Sequence, residues 1–330
     1  MTEVVVLGAG VMGSAMSLPV DANSRRTRLL GTHLDTDIVR SVAGNGFHPG
    51  LKVTLPASIG AADWTELGAA LADGPELLIL GVSSAGVDWA IDRLSETMTH
   101  PVPVLMITKG LAVVEGEIAV LPHYVARKLE AHLGFPVPVA AVAGPAIAGE
   151  QAAGRETSVI FTSTDMAQAA AARGMLANAG YHVTLSDDVV GVELCAALKN
   201  FFALGVGTAA GRFERAGEAP NGAAMHNLAA SLFTLSIREL TELVRAMGGD
   251  PATVSGLAGV GDLYVTCRAG RNSRMGRLIG LDIAYSVAKA EHMPGDPGEG
   301  ADLARAIGPT LRAMMADGRL DPALLPLTRA

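Results

Sequence analysis

The first half of the chain alternates between short apolar runs rich in β-branched residues and amphipathic stretches. The apolar runs, which favour buried strands, are residues 3–7, 28–32, 77–82, 103–107, 138–142, 157–162 and 181–185. Helical spacing of apolar residues follows several of them, at residues 14–20, 86–98 and 165–179. Strands that alternate with helices predict parallel βαβ units, and therefore an α/β fold with a doubly wound sheet.

This alternation ends near residues 186–190. From Asp188 onward the spacing is helical only, over residues 190–209, over 222–247 with Gly248-Gly249 as a stop, and again within 273–317. We therefore expect two domains. Residues 1–187 would form a Rossmann-type α/β domain, and residues 188–330 an all-α domain.

A glycine-rich segment directly follows the first predicted strand. Gly8-Ala9-Gly10-Val11-Met12-Gly13 is G-x-G-x-x-G, placed between a strand and a helix, as the dinucleotide-binding fingerprint requires. Gly8 permits a tight turn, Gly10 lets a pyrophosphate approach, and Gly13 lets helix and strand pack closely. The alternative is a strand-to-helix turn without a ligand.

The end of the second predicted strand bears on the choice of dinucleotide. Asp35 could accept a hydrogen bond from the ribose 2′-hydroxyl of NAD, whereas Thr32 and His33 could contact the 2′-phosphate of NADP. No acidic residue stands at the strand end itself. The sequence slightly favours NADP and leaves NAD open.

A lysine lies within an apolar helical segment at residues 191–205. Such a helix is buried, and an unpaired buried ammonium is costly, so Lys199 pairs with an acid or lines a polar cleft. Either placement suits a general acid/base. The alternatives are a structural pair with Glu193 and a side chain that extends to the helix rim.

Three glycines precede Asp262, in the segment Gly256-Leu257-Ala258-Gly259-Val260-Gly261. They would let the backbone approach a ligand, with Asp262 at the edge, although a plain helix N-cap is the alternative. Four arginines follow at spacing three: Arg268, Arg271, Arg274 and Arg277. They predict a local anion site, or else a solvated helix face.

Composition narrows the functional classes. The 330 residues carry a formal net charge of −8, which argues against nucleic acid or a membrane surface as partner, and no run suggests a membrane span. Two cysteines, Cys195 and Cys267, suit a reducing cytoplasm. The histidines and cysteines lack metal-ligand spacing, so we expect no metal.

Several segments together resemble the NAD(P)-dependent glycerol-3-phosphate dehydrogenase family. The matching segments are GAGVMGSA at 8–15, TKGL at 108–111, AGPAIAGE at 143–150, VELCAALKNFFALGVG at 192–207 and GLAGVGDLYVTC-RAGRNSRMG at 256–276. The resemblance implies a Rossmann-type domain and a helical domain like the C-terminal domain of 6-phosphogluconate dehydrogenase, usually in a homodimer. It also implies hydride transfer between a nicotinamide and C2 of dihydroxyacetone phosphate or sn-glycerol 3-phosphate.

The resemblance assigns roles to individual residues. Lys199 would be the general acid/base, supported by a polar network of Lys109, Asp262 and Thr266. Lys109, Asn200, Arg271 and Asn272 would bind a small phosphorylated substrate. The residues implied to contact NAD or NADP are Gly8, Gly10, Val11, Met12, Gly13, His33, Ser83, Lys109, Ala148, Arg271 and Glu299.

Several segments depart from the family pattern; the one around His48-Pro49-Gly50 is unusual, and two others concern residues near the implied nicotinamide and substrate. After Gly144-Pro145 the chain has Ala146-Ile147, closer to the eukaryotic branch, and Asp296-Pro297-Gly298-Glu299-Gly300 lacks the family's glutamine. These departures leave open a dehydrogenase of another small polyol or ketose phosphate. A further alternative, from a different class, is a dinucleotide-binding sensor without catalysis.

Overall fold

The computed structural model describes residues 3–217, 222–296 and 298–329 and divides into two compact units. The first unit extends to Lys109 and resumes over Leu121–Val189. The second comprises Gly110–Val120 and the chain from Val190 onward. A short hairpin from the middle of the α/β sequence therefore belongs to the mainly helical unit.

The first unit is built around an eight-stranded sheet, and the hairpin of the second unit interrupts its sequence. In chain order the elements up to Ser186 are β1 (Glu3–Leu7), α1 (Val11–Ala22), β2 (Arg26–Gly31), α2 (Thr36–Asn45), β3 (Phe47–His48), β4 (Val53–Thr54), β5 (Ile59–Asp63), α3 (Leu67–Ala72), β6 (Leu77–Leu80), α4 (Val87–Thr97), β7 (Val104–Met106), β8 (Leu111–Val114), β9 (Glu117–Val120), α5 (Leu121–Leu133), β10 (Val139–Ala143), α6 (Ala148–Ala152), β11 (Thr157–Thr162), α7 (Met166–Leu176) and β12 (Tyr181–Ser186).

Six strands run parallel in the order β5-β2-β1-β6-β7-β10. The chain adds β2 and β5 on one side of β1 and then adds β6, β7 and β10 on the other side, as in the Rossmann fold. Ligands bind such sheets at the carboxyl ends of the strands near this switch point. The apolar run of β1 is fully buried from Val4 to Leu7, because helices cover both faces of a parallel sheet. The predicted α/β fold is confirmed.

The prediction of parallel units throughout was wrong at one connection, from β10 to β11. β11 pairs antiparallel with β10, and β12 runs parallel to β11. The helix α6 has only five residues and is too short to carry the chain back across the sheet; its Gln151 amide donates to the Ala15 carbonyl oxygen of α1 at 2.9 Å. β11 therefore begins at the edge where β10 ends.

The second unit is helical apart from the β8–β9 hairpin. Its helices are α8 (Val189–Ala216), α9 (His226–Ala246), α10 (Asp262–Ala269), α11 (Arg271–Gly280), α12 (Tyr285–Val287), α13 (Glu299–Ala316) and α14 (Pro326–Arg329). A turn of π-helix, Leu257–Gly261, leads directly into α10. Arg319, which follows α13, donates to the Glu117 carboxylate of the hairpin at 2.8 and 2.9 Å. This ion pair links β9 to the segment between α13 and α14.

Helices α8 and α11 cross at backbone contact. A Cβ added at Gly211 would lie 1.9 Å from the Arg277 carbonyl oxygen, and one at Gly276 would lie 2.0 Å from that of Leu204. Only glycine fits at these crossing points, since a methyl group would overlap backbone that cannot rotate away. The close crossing holds the start of α11 beside α8.

Helix α8 is long and apolar enough to cross a membrane, judged by length and composition alone. In the fold, however, 72% of its most apolar stretch is buried. It also carries Glu193 and Lys199 inside the unit, at 0% and 8% exposure. These features are those of a core helix, and they explain its high hydropathy.

Candidate active site

The glycine loop connects β1 to α1 at the carboxyl edge of the parallel sheet. A Cβ added at Gly13 would lie 2.1 Å from the Gly8 carbonyl oxygen, so the turn requires glycine there. By contrast, no atom lies within 4 Å of a Cβ added at Gly10. α1 begins after Gly10 without a side-chain cap, so its first N–H groups are left for a ligand. This open, uncapped helix start fits a dinucleotide pyrophosphate.

The other residues assigned to the dinucleotide in the first unit follow neighbouring strands of this sheet. His33 follows β2, Ser83 follows β6, Lys109 follows β7, and Ala148 opens α6 after β10. Because the carboxyl ends of parallel strands share one edge, all four lie on the side of the sheet that carries the glycine loop. The Lys109 ammonium donates to the Gly144 carbonyl oxygen at 3.4 Å, which links the ends of β7 and β10.

Asp35 is turned towards the glycine loop. One carboxylate oxygen accepts hydrogen bonds from the backbone N–H of Ala9 at 3.2 Å and from the N–H and hydroxyl of Thr32 at 2.8 and 2.9 Å. His33 is exposed, and its ring meets the Trp89 ring edge-on, with centroids 5.5 Å apart. The hydrogen bonds of Asp35 therefore stabilise the glycine loop. At the end of β2 it is the His33 side chain that remains exposed.

In the second unit, Lys199 and Asp262 form a buried ion pair. Their exposed fractions are 8% and 1%, and the ammonium donates to a carboxylate oxygen of Asp262. Asp262 is the first residue of α10, and the π-helical turn Leu257–Gly261 runs directly into it. The alternative that Asp262 only caps the helix was wrong, because Gly261 occupies the cap. The Thr266 hydroxyl donates to the Asp262 carbonyl oxygen at 2.7 Å, one turn further on.

Beside this pair, α8, α11 and α13 meet at Glu299. Its carboxylate accepts from the Asn200 amide at 3.2 Å and from the Arg271 guanidinium at 3.4 Å. The Gly300 N–H donates to the Asn272 side-chain oxygen at 3.2 Å. Asn200, Arg271, Asn272 and Glu299 thus form one polar cluster in the second unit. Pro297, part of the departure from the family pattern, lies outside the described residues.

The four arginines line one open cavity of about 740 Å³ in the second unit. Arg277 is paired with Glu214, which raises the pKa of the guanidinium and lowers that of the carboxyl group. Arg274 bonds the His292 carbonyl oxygen at 3.1 Å. Arg271 contacts Glu299 at 3.4 Å, and Arg274 also lies 4.0 Å from Asp296, so neither arginine is held tightly by a carboxylate.

Neither cysteine has the setting of a nucleophile. Cys195 is fully buried, and burial raises the pKa of the Cys267 thiol to about 12. Within residues 3–217, 222–296 and 298–329, no three His, Cys, Asp or Glu side chains are grouped to hold a metal ion.

Comparisons with known proteins cover both units. Residues 3–169 match the profile of the NAD-dependent glycerol-3-phosphate dehydrogenase N-terminus, and residues 188–320 match that of its C-terminus.

Among curated relatives, an NADP(+)-dependent glycerol-3-phosphate dehydrogenase of Archaeoglobus fulgidus is 32% identical over 87% of this chain and 83% of its own. A glycerol-3-phosphate dehydrogenase [NAD(P)+] of Symbiobacterium thermophilum is 34% identical over 92% and 83%. The crystal structure of glycerol-3-phosphate dehydrogenase from Coxiella burnetii superposes with a TM-score of 0.79, at 26% identity, over 99% of this chain and 92% of that one.

Proposed function

The chain belongs to the NAD-dependent glycerol-3-phosphate dehydrogenase family and is an NAD(P)-dependent oxidoreductase; on that premise we propose which of its residues perform the reaction. The substrates are dihydroxyacetone phosphate and sn-glycerol 3-phosphate. The observation that carries the proposal is the buried Lys199–Asp262 pair, a proton donor held inside an apolar helix. Membership in an enzyme family removes the hypothesis of a non-catalytic sensor.

Lys199 is the general acid in the direction of ketone reduction. A bound nicotinamide would supply the hydride to C2, and the C2 oxygen, on which negative charge would develop, would need a proton. The Lys199 ammonium donates that proton, and in the reverse direction the amine accepts it. Asp262 accepts a hydrogen bond from the lysine and fixes its position, while Thr266 binds the backbone carbonyl of Asp262.

The phosphate of the substrate binds Arg271, with Asn272 beside it. A guanidinium binds two phosphate oxygens at once, and a dianion competes well for an arginine whose carboxylate partner is 3.4 Å away and half-exposed. Glu299 then remains with Asn200, which orients the substrate through its amide. Lys109 contributes a second positive charge, and the glycine loop, Ser83 and Ala148 hold the dinucleotide.

We further propose that this chain prefers NADP(H). Asp35, the acid that would bind an unphosphorylated ribose, already accepts three hydrogen bonds from Ala9 and Thr32. His33 instead offers an exposed imidazole at the end of β2, held edge-on by Trp89. The Archaeoglobus relative, whose name specifies NADP(+), supports the same preference.

The test is a survey of turnover followed by the absorbance of reduced nicotinamide. Dihydroxyacetone phosphate is compared with four- and five-carbon ketose phosphates, each with NADPH and NADH. Reduction of dihydroxyacetone phosphate with the highest kcat/KM, and higher with NADPH, supports the proposal. Preference for a longer ketose phosphate would favour the alternative substrate suggested by residues 144–150 and 296–300.

We also propose a cytoplasmic homodimer, supported by the family resemblance and by the two reduced cysteines. Light scattering coupled to size-exclusion chromatography gives the mass in solution. A monomer at micromolar concentration would contradict this assignment and leave the reaction unaffected.

A further inference from the structure

His48 lies fully buried against the glycine loop, although no motif marks it. It ends the two-residue strand β3, in the hairpin with β4. Its Nε2 atom is 3.0 Å from the Ala9 carbonyl oxygen, and its Nδ1 atom accepts the Leu51 backbone N–H at 3.0 Å. Since Nδ1 accepts, the ring proton is on Nε2, and the ring donates it to Ala9.

This hydrogen bond fixes one peptide group of the loop. The peptide between Ala9 and Gly10 is planar and trans, so its C=O and N–H groups point in opposite directions. With the Ala9 carbonyl held by His48, and also by the Ser14 hydroxyl at 3.1 Å, the Gly10 N–H is directed to the other side. That is the side on which a Cβ at Gly10 would meet nothing within 4 Å.

The preceding peptide is fixed as well, because the Ala9 N–H donates to Asp35. The hairpin turn also packs on the start of α1: a Cβ at Gly50 would lie 2.7 Å from a Val11 methyl carbon and 3.3 Å from the His48 ring. Two polar side chains from separate segments thus hold the two peptide groups that flank Ala9.

We propose that His48 is a positioning residue for the dinucleotide, which orients the Gly10 N–H towards the pyrophosphate. The inference rests on the proposed dinucleotide binding by this loop. It predicts an effect confined to ligands that carry a pyrophosphate, because the adenosine end of the dinucleotide makes no use of the Gly10 N–H.

The experiment compares His48→Leu, which keeps the volume and loses both hydrogen bonds, with His48→Gln, which can donate and accept. Dissociation constants are measured for NADPH, and inhibition constants for 2′-AMP, which lacks the pyrophosphate. Melting temperatures are recorded in parallel. We expect His48→Leu to weaken NADPH roughly ten-fold, the cost of about one well-placed hydrogen bond, and to leave 2′-AMP within about two-fold.

His48→Gln should recover most of the lost NADPH affinity, and kcat at saturating NADPH should change little in either variant. Equal weakening of NADPH and 2′-AMP, or unchanged NADPH affinity, overturns the proposal. If His48→Leu does not fold, Ser14→Ala removes the other donor to the same carbonyl and should weaken NADPH alone by about three-fold. Absence of binding of both NADPH and NADH by the wild-type protein would instead refute the proposed function.

Discussion

Lys199 and Asp262 lie sixty-three residues apart in sequence and meet in a buried ion pair between α8 and α10. Burying either charge alone is costly, and the attraction between the two charges offsets that cost. The pair joins α8 to the first residue of α10 within the second unit. Its role in stability and its proposed role in proton transfer can be separated by mutation.

The first prediction separates the effect of the Lys199–Asp262 pair on stability from its effect on catalysis. Lys199→Met should lower kcat by about 10²–10⁴-fold, the usual contribution of a general acid, and should destabilise the fold by about 3–5 kcal/mol because Asp262 loses its partner. The double variant Lys199→Met/Asp262→Leu should recover much of the stability and none of the activity. Denaturant titration and steady-state kinetics measure the two quantities. An active Lys199→Met enzyme would exclude the proposed mechanism.

The glycine loop gives a second prediction, in which two glycines of one motif behave differently. Gly10→Ala should fold with nearly unchanged melting temperature, because its methyl group meets no atom, yet bind NADPH at least about ten-fold more weakly, because the methyl occupies the place of the pyrophosphate. Gly13→Ala should lose both stability and affinity, since its methyl would overlap the Gly8 carbonyl. Equal melting temperatures for the two variants would contradict this reading of the loop.

A third prediction tests the preference for NADP(H). His33→Ala should lower kcat/KM for NADPH by about ten-fold, through loss of one hydrogen bond to a charged phosphate, and leave NADH within about two-fold. Leu34→Ala, at a neighbouring position that is 81% exposed, is the matched control and should change neither value. A parallel loss with both cofactors would place His33 elsewhere than at the 2′-phosphate.

The crossing of α8 and α11 supplies a fourth prediction, on stability. Gly276→Ala should destabilise the protein by about 1–3 kcal/mol or more, as overpacking does, because the methyl would overlap the Leu204 carbonyl. Gly205→Ala on α8 is the control, since a Cβ there meets nothing within 4 Å and alanine favours a helix by about 1 kcal/mol. Chemical denaturation should therefore shift in opposite directions for the two variants.

The fifth prediction concerns pH. Because burial raises the pKa of the Cys267 thiol to about 12, the neutral thiol persists through the neutral and mildly alkaline range. Alkylation of Cys267 by iodoacetamide at pH 8 should be about a thousand-fold slower than in the unfolded chain, and should keep rising with pH up to about 12. Mass spectrometry of the modified peptide gives the rate. A plateau near pH 9 would mean an exposed thiol.

Much of this arrangement follows from local sequence. Consecutive β-branched residues 4–6 define a strand buried on both faces, and glycines at 8, 10 and 13 define the turn after it, because strand burial and turn sterics depend on neighbouring residues alone. The apolar surroundings of Lys199 likewise required a partner or a cleft. Sequence could therefore establish the α/β fold, and it predicted the position of the dinucleotide loop and a functional role for one lysine.

The tertiary structure decided which distant groups meet. Three of its features depend on contacts between segments far apart in the chain. Asp262 pairs with Lys199, Asp35 and His48 bind the two peptide groups that flank Ala9, and the hairpin within Gly110–Val120 belongs to the helical unit. The hydrophobic period and the turn residues carry no information on these pairings, because the packing of whole helices and strands decides which distant residues meet.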